Sequence, residues 1–341
     1  MVNHQQVASI RWSNRQHARN KEMHATLIHF QKCYSTMQEM FESKAVLKRL
    51  TEHKLVFLDI ACAPGGFSQF LLENCPESEG YGITLPEALG GFPVTVTVPD
   101  RFHLCEFDLL EHPLSPEPVL PDLIDLAIAD AQYLPRSQES TETYGGKKAG
   151  TITAGRIGLL LRELILALRY LRDGGVFVFR FVVWEKVHAN ILRIFLLCYD
   201  LFETVEPFKS EYQHTADCTF YCVCSGFRRS IYEEKNIDTL LKVAYARVIS
   251  SPPFAAVHNG TINCIHVIRS VPEDHNSPVL DKRDAHILDN LYPFKDMQKH
   301  EAFGKLSHMF EYVYKMFLIG QASYTDHSKT EFRHNQSLRN R

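Results

Sequence analysis

Four polar side chains stand at the ends of apolar runs: Asp59, Thr84, Asp108 and Asp130. Singly, an Asp or Thr after a strand is usually a loop residue or a helix cap. Repeated at one place in the pattern, they point to a ligand site. The densest chemistry surrounds the first. Leu55 to Ile60 is an apolar, β-branched run carrying Asp59. Ala61-Cys62-Ala63 follows, then Pro64-Gly65-Gly66, then an apolar-periodic run from Phe67 to Leu72. This reads as buried strand, tight turn and helix. Gly65 and Gly66 have no Cβ, so a ligand can lie against the backbone. The helix start offers free N–H groups and the positive end of its dipole. The turn has neither the G-x-x-x-x-G-K-[ST] of a phosphate loop nor the third glycine of G-x-G-x-x-G. A carboxylate beside it suits a cationic ligand better than a pyrophosphate. S-adenosylmethionine, with an ammonium group and a sulfonium, meets that description.

The elements that must position these residues alternate in type. From Asn20 to Leu50, apolar residues spaced three or four apart (Met23, Leu27, Phe30, Tyr34, Met37) predict one or two amphipathic helices. Residues 1–17 are polar, without period, and read as poorly ordered. Gly80 to Pro86 reads as a second strand and Phe102 to Asp108 as a third. Between them, 87–99 reads as an inserted hairpin. Residues 111–121 carry four prolines and read as a loop, and Asp122 to Asp130 as a fourth strand. Residues 131–153, with Arg136, Lys147 and Lys148, read as a long irregular loop, either functional or disordered. Ile157 to Leu171 predicts an apolar helix capped by Gly174-Gly175, Val176 to Val183 a fifth strand, and Val187 to Tyr199 a helix. Phe202–Phe208 and Thr219–Phe227 predict an antiparallel pair. The alternation implies a mostly parallel, doubly wound α/β sheet. Ligands of such sheets bind beyond the carboxyl ends of the strands, where the four polar residues stand. Beyond Arg228 the pattern turns helical over 231–250 and 283–318, irregular over 255–280, and polar and basic over 323–341. Three divisions follow: an N-terminal basic helical segment (1–50), the α/β domain (51–230) and a mainly helical extension (231–341).

Composition narrows the classes. No apolar run approaches the roughly 18 residues of a membrane span, and the N-terminus lacks the apolar core of a signal peptide. An intracellular protein, cytoplasmic or nuclear, is expected. The nine cysteines include no C-x-x-C pair, so no metal site is expected; Cys218, Cys222 and Cys224 read as buried free thiols. The formal net charge is −3, but residues 1–54 hold nine Lys/Arg against four Asp/Glu. That basic face could meet phosphates or could be a solvated helix surface.

In this order and spacing, DIACAPGGFSQFLLE, GYGITL, LAIAD, GGVFVFRF and FYCVCSGF resemble the FtsJ/RrmJ-type RNA ribose 2′-O-methyltransferases. The D-x-x-x-x-P-G-G-F turn and the G-[FY]-G-[IM]-T-L strand are especially close to the cap-ribose branch, and they also resemble fungal FtsJ-domain proteins. The resemblance covers roughly residues 20–228. It implies a Rossmann-like sheet with helices on both faces; the N-terminal helices and the mainly helical C-terminal extension are expected from the residue pattern alone. It implies S-adenosylmethionine as cofactor and RNA as partner. Asp59, Ala63, Pro64, Gly65, Gly66 and Phe67 would hold the methionine end, Thr84 the border of the adenosine and Asp108 the adenine amine. Asp130 would lie near the methyl group. The family's catalytic Lys-Asp-Lys-Glu tetrad maps incompletely. Asp130 keeps the aspartate, Arg180 stands for the second lysine, and Thr219 stands for the glutamate. Arginine stays protonated, so it positions an oxygen but takes no proton from it. The first lysine is Lys32 or Lys21, with Lys32 nearer the core strand; Lys186, at the head of a predicted helix, could reach the site from elsewhere. Three functions stay open: an RNA 2′-O-methyltransferase, a non-catalytic cofactor- or RNA-binding module, and a small-molecule or protein methyltransferase on the same fold.

Overall fold

The computed structural model describes residues 4–110, 120, 123–132, 147–182, 186–213, 215, 219–250, 261–263, 300–316 and 318. Seven strands form one mixed sheet: β1 (Val56–Ile60), β2 (Glu79–Thr84), β3 (Phe102–Glu106), β4 (Ile124–Ala129), β5 (Leu171–Val182), β7 (Phe202–Phe208) and β8 (Thr219–Phe227). Their order is β3-β2-β1-β4-β5-β8-β7. The β2/β3, β1/β4 and β4/β5 pairs are parallel, and β8 runs antiparallel to both β5 and β7. Every residue of β4 and Val176 to Phe179 of β5 are buried. A strand buried on both faces needs the near-continuous apolar run seen here, and it implies cover on both sides. A separate two-stranded ribbon pairs β6 (Lys186–His188) with β9 (Thr261–Asn263).

The chain forms two compact units. One holds Met1–Leu55 and Ala61–Asp108, with α1 (His4–Ser43), α2 (Ala45–Leu50), α3 (Gly66–Asn74), β2 and β3. In it, α1 and α3 meet through aromatic edges: Tyr34 and Phe41 each set a ring against Phe70, at 5.4 and 5.3 Å. Arg101 closes the end of α3, donating to the carbonyls of Leu72 (2.8 Å), Cys75 (3.2 Å) and Ser78 (3.1 Å). The Leu72 carbonyl lies in the last turn of α3, where a helix leaves its carbonyls without partners, and Cys75 is the C-cap.

The other unit holds Val56–Ile60 and Leu109–Arg341. Its helices are α4 (Lys147–Tyr170), α5 (Ala189–Leu201), α6 (Arg229–Glu234), α7 (Ile237–Ser250) and α8 (residues 302–316). Asp125 ties three strands at their start: it accepts the Val56 N–H at 2.6 Å and pairs with Arg172 at 2.6 Å. Arg169 of α4 pairs with Asp238 of α7 at 2.8 Å, and Phe310 of α8 meets Phe195 of α5 edge-on at 5.3 Å.

The structure departs from the sequence pattern at several places. Helix α1 begins at His4, within the segment that read as unordered, and α4 begins at Lys147, within the segment that read as loop. Gln, Ala, Lys and Arg are good helix formers, and a helix nucleated by an apolar run propagates into them. Residues 92–98 alternate like a strand but pair with none; their polar groups bond to the turn after β1 and to a side chain of α3. Gly174 and Gly175 do not cap α4, which ends at Tyr170. They lie in β5, where Gly174 has φ 75° and the β4/β5 register shifts. Lys186 lies in β6 opposite Asn263, not at a helix start. The expected proline-rich loop at 111–119, the core of the 131–153 loop, most of 255–299 and the basic tail lie outside the described residues.

Candidate functional site

The first unit carries the glycine turn. Gly65 has φ 107° and is the N-cap of α3, a left-handed conformation that an L side chain resists. A Cβ on it would also come within 2.6 Å of Val96 Cγ2. A Cβ on Gly66 would strike the backbone carbonyl of Phe30 and come within 2.7 Å of the Tyr34 nitrogen. The two glycines are therefore required by the protein's own packing. The turn is strapped from above its sequence position: Pro64 O accepts from the Thr95 N–H at 2.9 Å and from Thr95 Oγ1 at 3.0 Å. Gln69 of α3 behaves like a backbone amide toward Thr97. Its Oε1 accepts the Thr97 N–H at 2.8 Å and its Nε2 donates to Thr97 Oγ1 at 2.7 Å. Thr84 is buried at the end of β2, and its carbonyl accepts the Phe107 N–H at 2.8 Å. Asp108 follows, half-buried.

The second unit carries Asp59, Asp130 and Glu163. Asp59 is fully buried in β1, in register with Ile128 of β4. Asp130 directly follows β4, and its N–H donates to Ile60 O at 3.2 Å. Ile60 is bonded to Ala61, the first residue of the turn, so Asp130 is anchored to the strand that feeds it. Arg180 of β5 puts Nε 2.6 Å from Asp130 Oδ1, with only 12% and 7% of the two side chains exposed. Its Nη2 donates to Ala131 O at 3.4 Å. Glu163 of α4 completes the group: its Oε1 accepts the Ala131 N–H at 2.7 Å. Burial pushes the Glu163 carboxyl up to about 8, with Asp130 adding to the rise and the Ala131 N–H and Arg180 opposing it. A buried carboxyl is costly to ionise unless its charge is compensated.

The structure thus brings Asp130 and Arg180 together and adds Glu163. Thr219 is buried at the start of β8, one strand beyond Arg180 and opposite Val182; its carbonyl accepts from the buried Lys209 Nζ at 2.7 Å. Lys32 is exposed on α1, in the first unit; the side chains of Lys21 and Lys186 lie outside the described residues. Glu163 and Lys209 escaped the reading of the sequence. Glu163 had a visible signal, since Arg162 and Glu163 are the only charges between Ile157 and Leu168. A charge inside an apolar helix must find a partner. Lys209 had none, because its partner is a backbone carbonyl.

The glycine N-cap of α3, Thr84 and Asp108 belong to the first unit, and the fully buried Asp59 to the second. Among the described residues no cluster of His, Cys, Asp or Glu is arranged for a metal ion, and no helix is long and apolar enough to cross a membrane. Cys222 and Cys224 are buried free thiols with sulfurs 3.8 Å apart, and burial holds the Cys224 thiol well above its usual range.

No curated protein matches the chain. Among solved structures, a protein titled a ribosomal RNA methyltransferase from Plasmodium falciparum aligns at 18% identity and TM-score 0.37, over 56% of this chain and 96% of that one. A protein from Clostridium thermocellum whose structure is titled as an rRNA-methylase aligns at 13% and 0.33, over 52% and 94%. An O-methyltransferase family protein from Burkholderia thailandensis aligns at 10% and 0.32, over 55% and 54%. The family model for FtsJ-like methyltransferases matches residues 30–227. That span opens inside α1 and closes with β8, enclosing the glycine turn, the strand-end carboxylates and the Asp130–Arg180–Glu163 group. By that match, the chain belongs to the FtsJ-like methyltransferase family.

Proposed function

We propose that the protein transfers a methyl group from S-adenosylmethionine to an RNA ribose 2′-hydroxyl. The observation that carries this reading is the buried Asp130–Arg180 pair, hydrogen-bonded through the Asp130 N–H to the strand that runs into the glycine turn. Asp59, Ala63, Pro64, Gly65, Gly66 and Phe67 would hold the methionine end, with Thr84 and Asp108 toward the adenosine. The cofactor supplies an electrophilic methyl group. A ribose hydroxyl must be aimed at it and must give up its proton. Asp130 is the group able to accept that hydrogen bond and that proton. Arg180 stays charged and fixes Asp130 from the side. The excess of nine Lys/Arg over four Asp/Glu in residues 1–54 supports a phosphate-bearing substrate. Lys32, exposed on α1, belongs to that basic set, and Lys186 would serve only if β6 faces the same substrate.

Arg180 and Thr219 favour a second reading, a module that binds cofactor or RNA without turnover. Incubation with methyl-labelled S-adenosylmethionine and capped or ribosomal RNA decides between them. Label in a ribose-methylated nucleotide supports transfer. Cofactor binding without label supports the module, which R180K with T219E should then convert to activity. Binding to RNA that does not weaken with salt would point instead to a small-molecule or protein substrate.

A further inference from the structure

We propose that Glu163 is a positioning residue for Asp130, acting through the Ala131 peptide. This rests on the methyl-transfer reading above and extends it to a residue on a helix, away from the strand ends.

The geometry is a clamp on one peptide unit. Glu163 Oε1 takes the Ala131 N–H at 2.7 Å. Arg180 Nη2 donates to the Ala131 carbonyl at 3.4 Å, and its Nε stands 2.6 Å from Asp130 Oδ1. The residue carrying the carboxylate and the residue after it are thus gripped from α4 and from β5 at once. Asp130 is the first residue beyond β4, where the ladder to β1 gives out after its own N–H bonds Ile60 O. Ala131 has left the strand, so its N–H finds its partner on a helix rather than on β1. With Glu163 the residue keeps a fixed backbone direction; without it the half-buried Ala131 N–H loses that acceptor and the peptide after Asp130 is gripped from β5 alone.

Charge supports the same role. The groups acting on the Glu163 carboxyl are Asp130 from the end of β4 and Arg180 from β5. On the side of α7, the helix presents Arg162 over the Tyr245 ring at 5.7 Å. While Glu163 keeps its proton, Arg180 has one anion to serve, Asp130. When Glu163 ionises, a second anion competes for the same guanidinium and the grip on Asp130 loosens. The positioning role therefore belongs to the protonated form, and it fades toward alkaline pH.

The test is steady-state methyl transfer by the full chain, wild type against Glu163→Gln and Glu163→Ala, from pH 6 to pH 10. The amide of Gln keeps the acceptor and cannot ionise. The expected result for Glu163→Ala is a loss of kcat of the order of a hundredfold, the scale of a small misplacement of a reacting group, with both KM values within about threefold. Glu163→Gln should keep most of the activity at pH 7, and it should lack the fall in kcat that wild type shows as pH passes about 8. A Glu163→Ala enzyme within about twofold of wild type overturns the proposal. So does a Glu163→Gln enzyme that keeps the wild-type pH profile; that profile alone decides if Glu163→Ala does not fold. Wild-type protein inactive on every RNA tried refutes the methyl-transfer reading itself, and this proposal with it. An active wild type indifferent to both substitutions refutes the proposal alone.

Discussion

Glu163→Gln should stabilise the protein, and by an amount that grows with pH. The buried Glu163 carboxyl sits at about 8 in the folded chain against an ordinary 4.5. Between those values the folded state holds a proton that the unfolded state has released. Stability from this group is therefore fullest below 4.5, falls as pH rises, and levels off above 8. The gap multiplied by about 1.4 kcal/mol per pH unit is about 5 kcal/mol, of which about 4 kcal/mol falls between pH 5 and pH 9. Gln at 163 has the same shape, still accepts the Ala131 N–H, and has no proton to lose. The measurement is urea unfolding of both proteins at pH 5, 7 and 9. Other titrating groups cancel in the difference between them, which should shift in favour of Gln by about 4 kcal/mol across the range. A difference that stays constant within about 1 kcal/mol would show that Glu163 is ionised in the folded protein, and the clamp as drawn would be wrong.

Other substitutions test other joints. Gly66→Ala drives a methyl into the α1 backbone at Phe30 and Tyr34; it should cost about 1–3 kcal/mol or more, seen in thermal unfolding, and weaken S-adenosylmethionine binding. Gln69→Ala removes both bonds that hold Thr97, and calorimetric titration should show cofactor affinity lowered at least about fivefold, in line with about 1 kcal/mol per lost bond. Arg180→Lys replaces a fork that serves Asp130 and Ala131 together with a single ammonium that can lose its proton; the kcat profile should gain a limb rising with pH, and an unchanged profile counts against the role given to Arg180.

What could be read from the chain was what is local. Asp59, the turn from Ala63 to Gly66 and the helix after it announce themselves within a dozen residues, because strand, turn and helix each impose residue types on their own stretch. The continuous apolar runs of β4 and β5 likewise mark strands covered on both faces. What escaped was contact at a distance. Thr95 reaches Pro64 across 31 positions and Glu163 reaches Ala131 across 32. The alternation of 92–98 was real, but alternation states only that one side faces differently from the other, not that a second strand stands alongside. Glu163 was visible as an anomaly inside an apolar helix, yet nothing in the helix says which backbone group it meets.

The trio at the end of β4 balances only in one protonation state. Arg180 is positive and Asp130 negative; a proton on Glu163 leaves the buried group neutral overall, whereas its loss leaves an anion over. Removing one partner of a buried pair typically costs 3–5 kcal/mol, much of it from the charge left behind rather than from the lost attraction. Arg180→Gln strands Asp130 beside Glu163 and should be destabilising by roughly that amount at pH 7. Asp130→Asn added to it removes the stranded charge, so the double variant should recover a large part of the loss, as measured by a double-mutant cycle in urea. If the double variant is no more stable than Arg180→Gln alone, the cost lies in packing around the guanidinium stem. The aspartate would then be held by something other than its ion pair, and Arg180 would have no claim to position it.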